Sequence, residues 1–315
     1  MIPVKKIASL LLILNFLIFN LCGQTQTFPA NGAVNNIHSY YAFKNCTLHV
    51  DGSTTINNAT LIIKDGVIID AAEKASIPAS AVVYDLKGKH IYPSFIEMYS
   101  DYGMPNAVTQ HHNSGAPQME SNLKGAYGWN QAIKADFEAY KNFTNNDAKA
   151  DELRKLGFGL VLTSAKDGIV RGSGAVVLLN TQKKENEIIV KDRAAGCYSF
   201  NKGTSTQDYP SSLMGAIALL RQTYLDAQWY ATNKTKTEYN ISLEAFNALQ
   251  TLPSIFEVSD KLNALRADKV GDEFKTKYII KGKGDEYQRV DDIQQTFCKY
   301  IIPLNYPDAF DVEDP

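Results

Sequence analysis

Asp85-Leu86-Lys87-Gly88-Lys89-His90-Ile91-Tyr92-Pro93-Ser94-Phe95-Ile96-Glu97-Met98-Tyr99-Ser100-Asp101 is where the texture of this chain changes. Before Pro93 the sequence reads as short strands and tight turns. Tyr40 to Pro93 holds Ala42–Val50, Leu61–Lys64, Val67–Asp70, Ala81–Leu86 and His90–Tyr92, each rich in β-branched and aromatic residues. Asp65-Gly66 separates two of these runs. A D-G pair in that setting predicts a two-residue hairpin, because both turn positions need positive φ. Lys87-Gly88-Lys89 marks another turn. Strands this short and this closely spaced predict a small β-sandwich or half-barrel.

After Pro93, strands and helices alternate, which predicts parallel pairing through right-handed crossovers. Helices are expected over Ala148–Leu156, ending at Gly157, over Pro210–Tyr230, after Ser259 as a cap, and around Tyr287–Phe297. In the second of these, Leu213, Ile217, Leu220, Tyr224 and Ala227 recur at steps of three and four and form one apolar face. Barrel-type strands are expected near Phe95, Leu160, Ile255, Ile279 and Ile301, with a further short strand at Ala175–Leu179. Gly172-Ser173-Gly174 reads as a tight turn leading into it. Tyr102–Gly128 and Gln182–Gln207 read as long connecting regions.

The chain's 315 residues allow two domains. An apolar fraction of 44% and a charged fraction of 21% exclude wholesale disorder and a multi-span membrane protein. Lys+Arg at 32 against Asp+Glu at 34 leaves no basic excess, so no nucleic-acid partner is expected. At the N-terminus, Lys5 and Lys6 precede an apolar block, Ile7 to Leu21, and then small polar residues. This is the pattern of a secretory signal peptide, residues 1–24. The block is shorter than the roughly 20 residues of a spanning helix. The mature chain is therefore expected to be exported, periplasmic or extracellular, with no transmembrane span. Cys22 is a poor lipidation site, since bulky Leu21 precedes it. Cys46, Cys197 and Cys298 are far apart and fit neither a disulfide framework nor a metal spacing, so each is expected to be a small buried residue. Asn58-Ala59-Thr60 and Asn142-Phe143-Thr144 are taken as chance triplets.

The stretch around Pro93 resembles the opening of the barrel in the amidohydrolase superfamily, whose pattern is D-x-x-G-x-x-x-x-P-G-hydrophobic-I-D-x-H-x-H. Gly157–Leu162, Gly172–Val177 and Pro210–Gln222 are similar to segments of its imidazolonepropionase-like branch. The resemblance runs from Tyr40 to Pro315. It implies an α/β fold, with a β-sandwich module at 36–92 and a (β/α)8 TIM-type barrel from 93 onward. It also implies a hydrolase of carbon–nitrogen bonds, often in cyclic amides or dipeptides, using zinc or another divalent metal. The metal is held by the H-x-H pair, by later-strand histidines and by an aspartate.

This chain departs from the pattern at the metal positions. The first His falls on Tyr99 and the second on Asp101, and the usual Gly and Asp fall on Ser94 and Glu97. All five histidines, His38, His49, His90, His111 and His112, stand at or before position 112, so no later strand can supply one. Glu257 reads as an ordinary strand-end carboxylate, Lys281 as a solvated strand-end lysine, and His111-His112 as loop residues. No catalytic, cofactor-binding or metal-binding residue is assigned, and no cofactor is expected. Glu97 and Asp101 would share a strand face if the strand continued, which leaves a metal-free carboxylate pair as a minor alternative.

Residues 93–315 are also fewer than the about 250 of a complete barrel. The expectation is an incomplete barrel, the N-terminal part of a larger protein, catalytically degenerate in this chain. A non-catalytic scaffolding role, against a downstream catalytic half or in a homo-oligomer, is the alternative.

Overall fold

The computed structural model describes residues 39–107, 116–122, 130–180, 185–233 and 235–305. The expected leader, Cys22, His38 and His111-His112 lie outside them. The chain divides into two compact units, Met1–Pro93 and Ser94–Pro315.

In the first unit the described residues form one five-stranded sheet: β1 (Tyr40–His49), β2 (Thr55–Lys64), β3 (Val67–Ala72), β4 (Val82–Asp85) and β5 (His90–Ile91), in the order β3-β2-β1-β4, with β5 also on β1. β2 and β3 form the expected hairpin. Asp65 and Gly66 take φ of 52° and 78°, both positive as the turn requires. β4 and β5, expected to flank a turn, do not pair with each other. Both run parallel to β1 on either side of Gly88. Register shifts in β1 and β2 coincide with positive φ at Asn45 and Asn58, a conformation asparagine tolerates better than most residues. Cys46, Leu48, Ala59 and Leu61 form the core of this unit.

The second unit is built on a seven-stranded sheet. Its strands are β6 (Phe95–Ser100), β7 (Phe158–Thr163), β8 (Val170–Leu178), β9 (Ile189–Ser199), β10 (Ser254–Glu257), β11 (Tyr278–Lys281) and β12 (Lys299–Ile301), ordered β12-β11-β10-β9-β8-β7-β6. The five expected barrel strands are present. β9 is an addition, lying inside a stretch read as a long connection. Its first half is charged and exposed, and its second half is small and buried, so it has no strand-like alternation. β8 pairs antiparallel with both β7 and β9, while the other pairs are parallel. Six strands therefore run one way, with one inserted against them. Among the described residues β6 and β12 do not pair, so the sheet is not a closed barrel.

Gly172-Ser173-Gly174 lies inside β8 rather than before it. Gly172 has φ of 78°, and a Cβ there would collide with the Phe137 carbonyl. The Ser173 amide donates to that same carbonyl at 2.9 Å. The glycine is needed because another segment of backbone passes this close.

Between the strands lie α1 (Ala139–Asn142), α2 (Asp147–Lys155), α3 (Glu185–Ile188), α4 (Leu213–Asn233), α5 (Ile241–Leu249), α6 (Lys261–Phe274) and α7 (Val290–Gln295). α2 and α4 match the expected helices to within a few residues. Gly157 follows α2 at φ 94°. α6 is capped by Asp260, whose Oδ1 accepts from the Asn263 amide at 2.8 Å, and not by Ser259. No helix among the described residues is long and apolar enough to cross a membrane.

Strand alternation divides the core. On one face Tyr198, Phe256, Tyr278 and Ile280 pack against Leu219, Leu220 and Tyr224 of α4 and Phe246 of α5. The Tyr224 and Tyr278 hydroxyls share a 2.6 Å hydrogen bond there. On the opposite face Tyr99, Leu162, Cys197 and Ile255 cluster together.

Candidate functional site

The second face leads to the ends where the six codirectional strands finish, the usual position of active sites on parallel sheets. β6 ends beside Tyr99 and Asp101, β7 at Thr163, and β10 at Glu257. β8 runs the other way and begins here, which brings in Arg171. Nothing in the sequence reading had singled out this residue.

Arg171 is 3% exposed. Its Nη1 donates to the Tyr99 hydroxyl at 2.7 Å and to Glu257 Oε2 at 2.5 Å, and its Nε donates to the Gly168 carbonyl at 3.1 Å. Burial alone would push the guanidinium's pKa down. Tyr99 and Glu257 outweigh it, and the net shift is upward. Burial also drives the Tyr99 hydroxyl well above its ordinary value, against the pull of Arg171, so it stays protonated. The Lys166 ammonium stands 5.4 Å from the centre of the Tyr99 ring. Cys197, fully enclosed behind this group, is pushed by burial up to about 11.

The other sequence candidates are dispersed. Asp101 lies past the end of β6, exposed. Glu97 accepts the Tyr99 amide at 3.0 Å. Lys281 donates to the neighbouring Gly282 carbonyl at 2.8 Å. Cys46, Cys197 and Cys298 are free thiols, the first two buried and the third half-buried.

A cavity of about 620 Å³ lies beyond the end of β6, lined by residues 100–107, Lys134, Phe137, Asn146, Lys149, Ala165, Lys166 and Asp167, and reaches the Tyr99–Arg171–Glu257 group through Lys166, which stands over the Tyr99 ring. Asp167 ties its wall together. It accepts Lys134 Nζ, and it accepts the Thr204 amide and hydroxyl at 2.7 and 2.8 Å. Burial pushes its carboxyl up, but these bonds outweigh burial and hold it below the usual range.

The divalent metal that the resemblance implies does not fit these residues. At the H-x-H positions stand a buried, protonated tyrosine and a single exposed carboxylate. Glu257, the nearest other carboxylate, is committed to a guanidinium, whose charge opposes a dication. Among the described residues no group of three His, Cys, Asp or Glu side chains converges. A buried arginine interrupting the apolar Ile169-Val170 run was the available sequence signal, since such residues are rarely enclosed without a partner.

No protein-family model and no curated protein matches the chain. Solved structures do. An amidohydrolase from Thermotoga maritima MSB8 is 21% identical, with a TM-score of 0.66, over 84% of this chain and 70% of its own. Another amidohydrolase is 13% identical with a TM-score of 0.39, over 84% of this chain and 66% of its own. A prolidase crystallised with N-methylphosphonate-L-proline is 9% identical with a TM-score of 0.36, over 85% and 79%. The Thermotoga match shows that this chain shares an amidohydrolase's fold over most of its length.

Proposed function

We propose that this chain is an exported protein of amidohydrolase fold that does not carry out metal-dependent hydrolysis at the finishing ends of its parallel strands, and instead binds a small anionic molecule there. The observation that carries this reading is Arg171, held between Glu257 and Tyr99, which stands where the resemblance calls for the first metal histidine. A fixed guanidinium replaces a dication and leaves no lone pairs converging on one point. The adjoining cavity supports the binding half of the proposal. Its lining carries Lys134 paired with Asp167, Lys149 paired with Glu152, and Lys166 over the Tyr99 ring. Its size falls within the range of small-molecule sites.

The test is to refold the mature chain with excess zinc, dialyse it, and measure both bound metal and hydrolysis of a dipeptide and a cyclic amide. The expected result is neither stoichiometric zinc nor turnover, together with saturable binding of a small carboxylate that Lys166→Gln weakens. Stoichiometric zinc with zinc-dependent turnover would overturn the reading.

A further inference from the structure

The first unit carries a histidine pair of its own. Thr47 and His90 are register partners on the parallel strands β1 and β5. Side chains two apart on a strand share a face, so His49 projects beside His90 from the same side of the sheet. His49 Nε2 and His90 Nδ1 stand 2.9 Å apart. His49 is half-buried and His90 is exposed, so the pair is open to solvent.

Two further contacts hold the His49 ring. Its other nitrogen, Nδ1, lies 3.1 Å from the hydroxyl of Thr55, the register partner of His49 on β2. The Tyr92 ring lies parallel to it, at an interplanar angle of 1° and a centroid distance of 4.3 Å. In the tautomer that donates Nδ1–H to Thr55, Nε2 presents its lone pair toward His90. This is how outer partners orient a metal-bound imidazole, by fixing its tautomer and its plane.

Facing each other, the two nitrogens share a single N–H. A metal uses both lone pairs instead. Nitrogens bound at about 2.0–2.1 Å lie about 2.9 Å apart when the angle at the metal is near 90°, and about 3.3 Å apart when it is tetrahedral. The observed separation matches the right angle, the preference of Cu(II) and Ni(II). Binding requires the exposed His90 ring to tilt until both lone pairs meet at one point. The shared proton passes through water to His90 Nε2, so each ring keeps one N–H. We propose that His49 and His90 form a two-histidine site for a tetragonal divalent transition metal, Cu(II) above Ni(II), with water completing the coordination. The site belongs to the first unit alone and stands whether or not the reading given above for the second unit holds. Zn(II) prefers the wider angle and is expected to be lost on dialysis.

Titration of the mature chain with Cu(II), followed by pulsed electron paramagnetic resonance that counts bound imidazoles, tests it. One Cu(II) carrying two imidazoles is expected, with His49→Gln and His90→Gln each weakening binding at least about tenfold. The triple variant His38→Gln, His111→Gln, His112→Gln keeps only His49 and His90, and is expected to retain the two-imidazole signal. Absence of that signal in the triple variant, or equal affinity in the parent chain and His90→Gln, would each overturn the proposal. The triple variant leaves both proposed ligands unaltered, so it decides the matter even if substitution of either disturbs the fold.

Discussion

Replacing Arg171 with methionine keeps most of the side-chain volume and removes the charge. The ion pair it breaks has Nη1 and Oε2 2.5 Å apart, with Arg171 3% and Glu257 29% exposed. At an effective dielectric of about 20 the gross attraction is about 7 kcal/mol, most of it offset by the cost of taking both charges out of water. What the variant measures is the penalty of leaving the Glu257 carboxylate and the Tyr99 hydroxyl without their donor. Removing one partner of a buried pair costs about 3–5 kcal/mol, and water reaching Glu257 places this case near 3. With a urea slope of about 3 kcal/mol per molar, the midpoint should fall by about 1 M. Trp229, on α4, reports the unfolding of the second unit by fluorescence. Arg171→Met combined with Glu257→Met should recover most of the loss, because an apolar pair of similar volume replaces the ion pair. A midpoint shift below about 0.3 M, or a double variant equal to the sum of the two singles, would refute the account of Arg171 as a paired, buried cation.

Four other outcomes follow from the same geometry. Gly172→Ala should destabilise the second unit by about 3 kcal/mol, combining a left-handed φ with a clash against the Phe137 carbonyl, and the urea midpoint checks it. Asp167 has its carboxyl held below the ordinary 3.8, so its stabilising bonds are fully present above that pH and are lost as pH falls toward the lowered value. The stability gap between the parent chain and Asp167→Asn should accordingly be constant near neutrality and close below about pH 3.8, as seen in urea melts across pH. Burial, aided by the neighbouring Asp268, pushes the Cys298 thiol up to about 11, so it should react slowly with an aromatic disulfide reagent at about pH 8 until urea unfolds the chain. Rapid labelling in the native state would contradict that placement. Asp260→Ala should cost about 1 kcal/mol through loss of the α6 cap, whereas Ser259→Ala should cost less.

Local signals in the sequence located the elements well where one residue type had one physical job. Asp65-Gly66 specified a turn because few pairs accept two positive φ values. The α4 pattern specified a helix because its apolar stripe has no other use. β9 escaped notice because its two halves obey different constraints. Val190 to Arg193 face solvent, and Ala194 to Ser199 are enclosed on both sides, so period-two alternation never develops. Gly172 reads as part of a turn because its true reason, a passing segment more than thirty residues earlier, is invisible along the chain. For the site, Tyr99 was recognised as a departure from a metal pattern, but what replaces the metal lies on β8. That partnership between positions 99, 171 and 257 depends on strand order, which no local pattern encodes.

The reversed direction of β8 has a consequence for how this mouth can change over evolutionary time. Residues at the finishing ends of the six other strands pass straight into loops, and loops tolerate insertion and drift. Arg171 instead stands near the start of its strand, with the rest of β8 laddered on both sides behind it. The cation is therefore anchored from the sheet. The surrounding loops are free to acquire new lengths and chemistries while the fixed charge stays in place, so the loops at these strand ends can vary more than the polarity of the sheet beneath them.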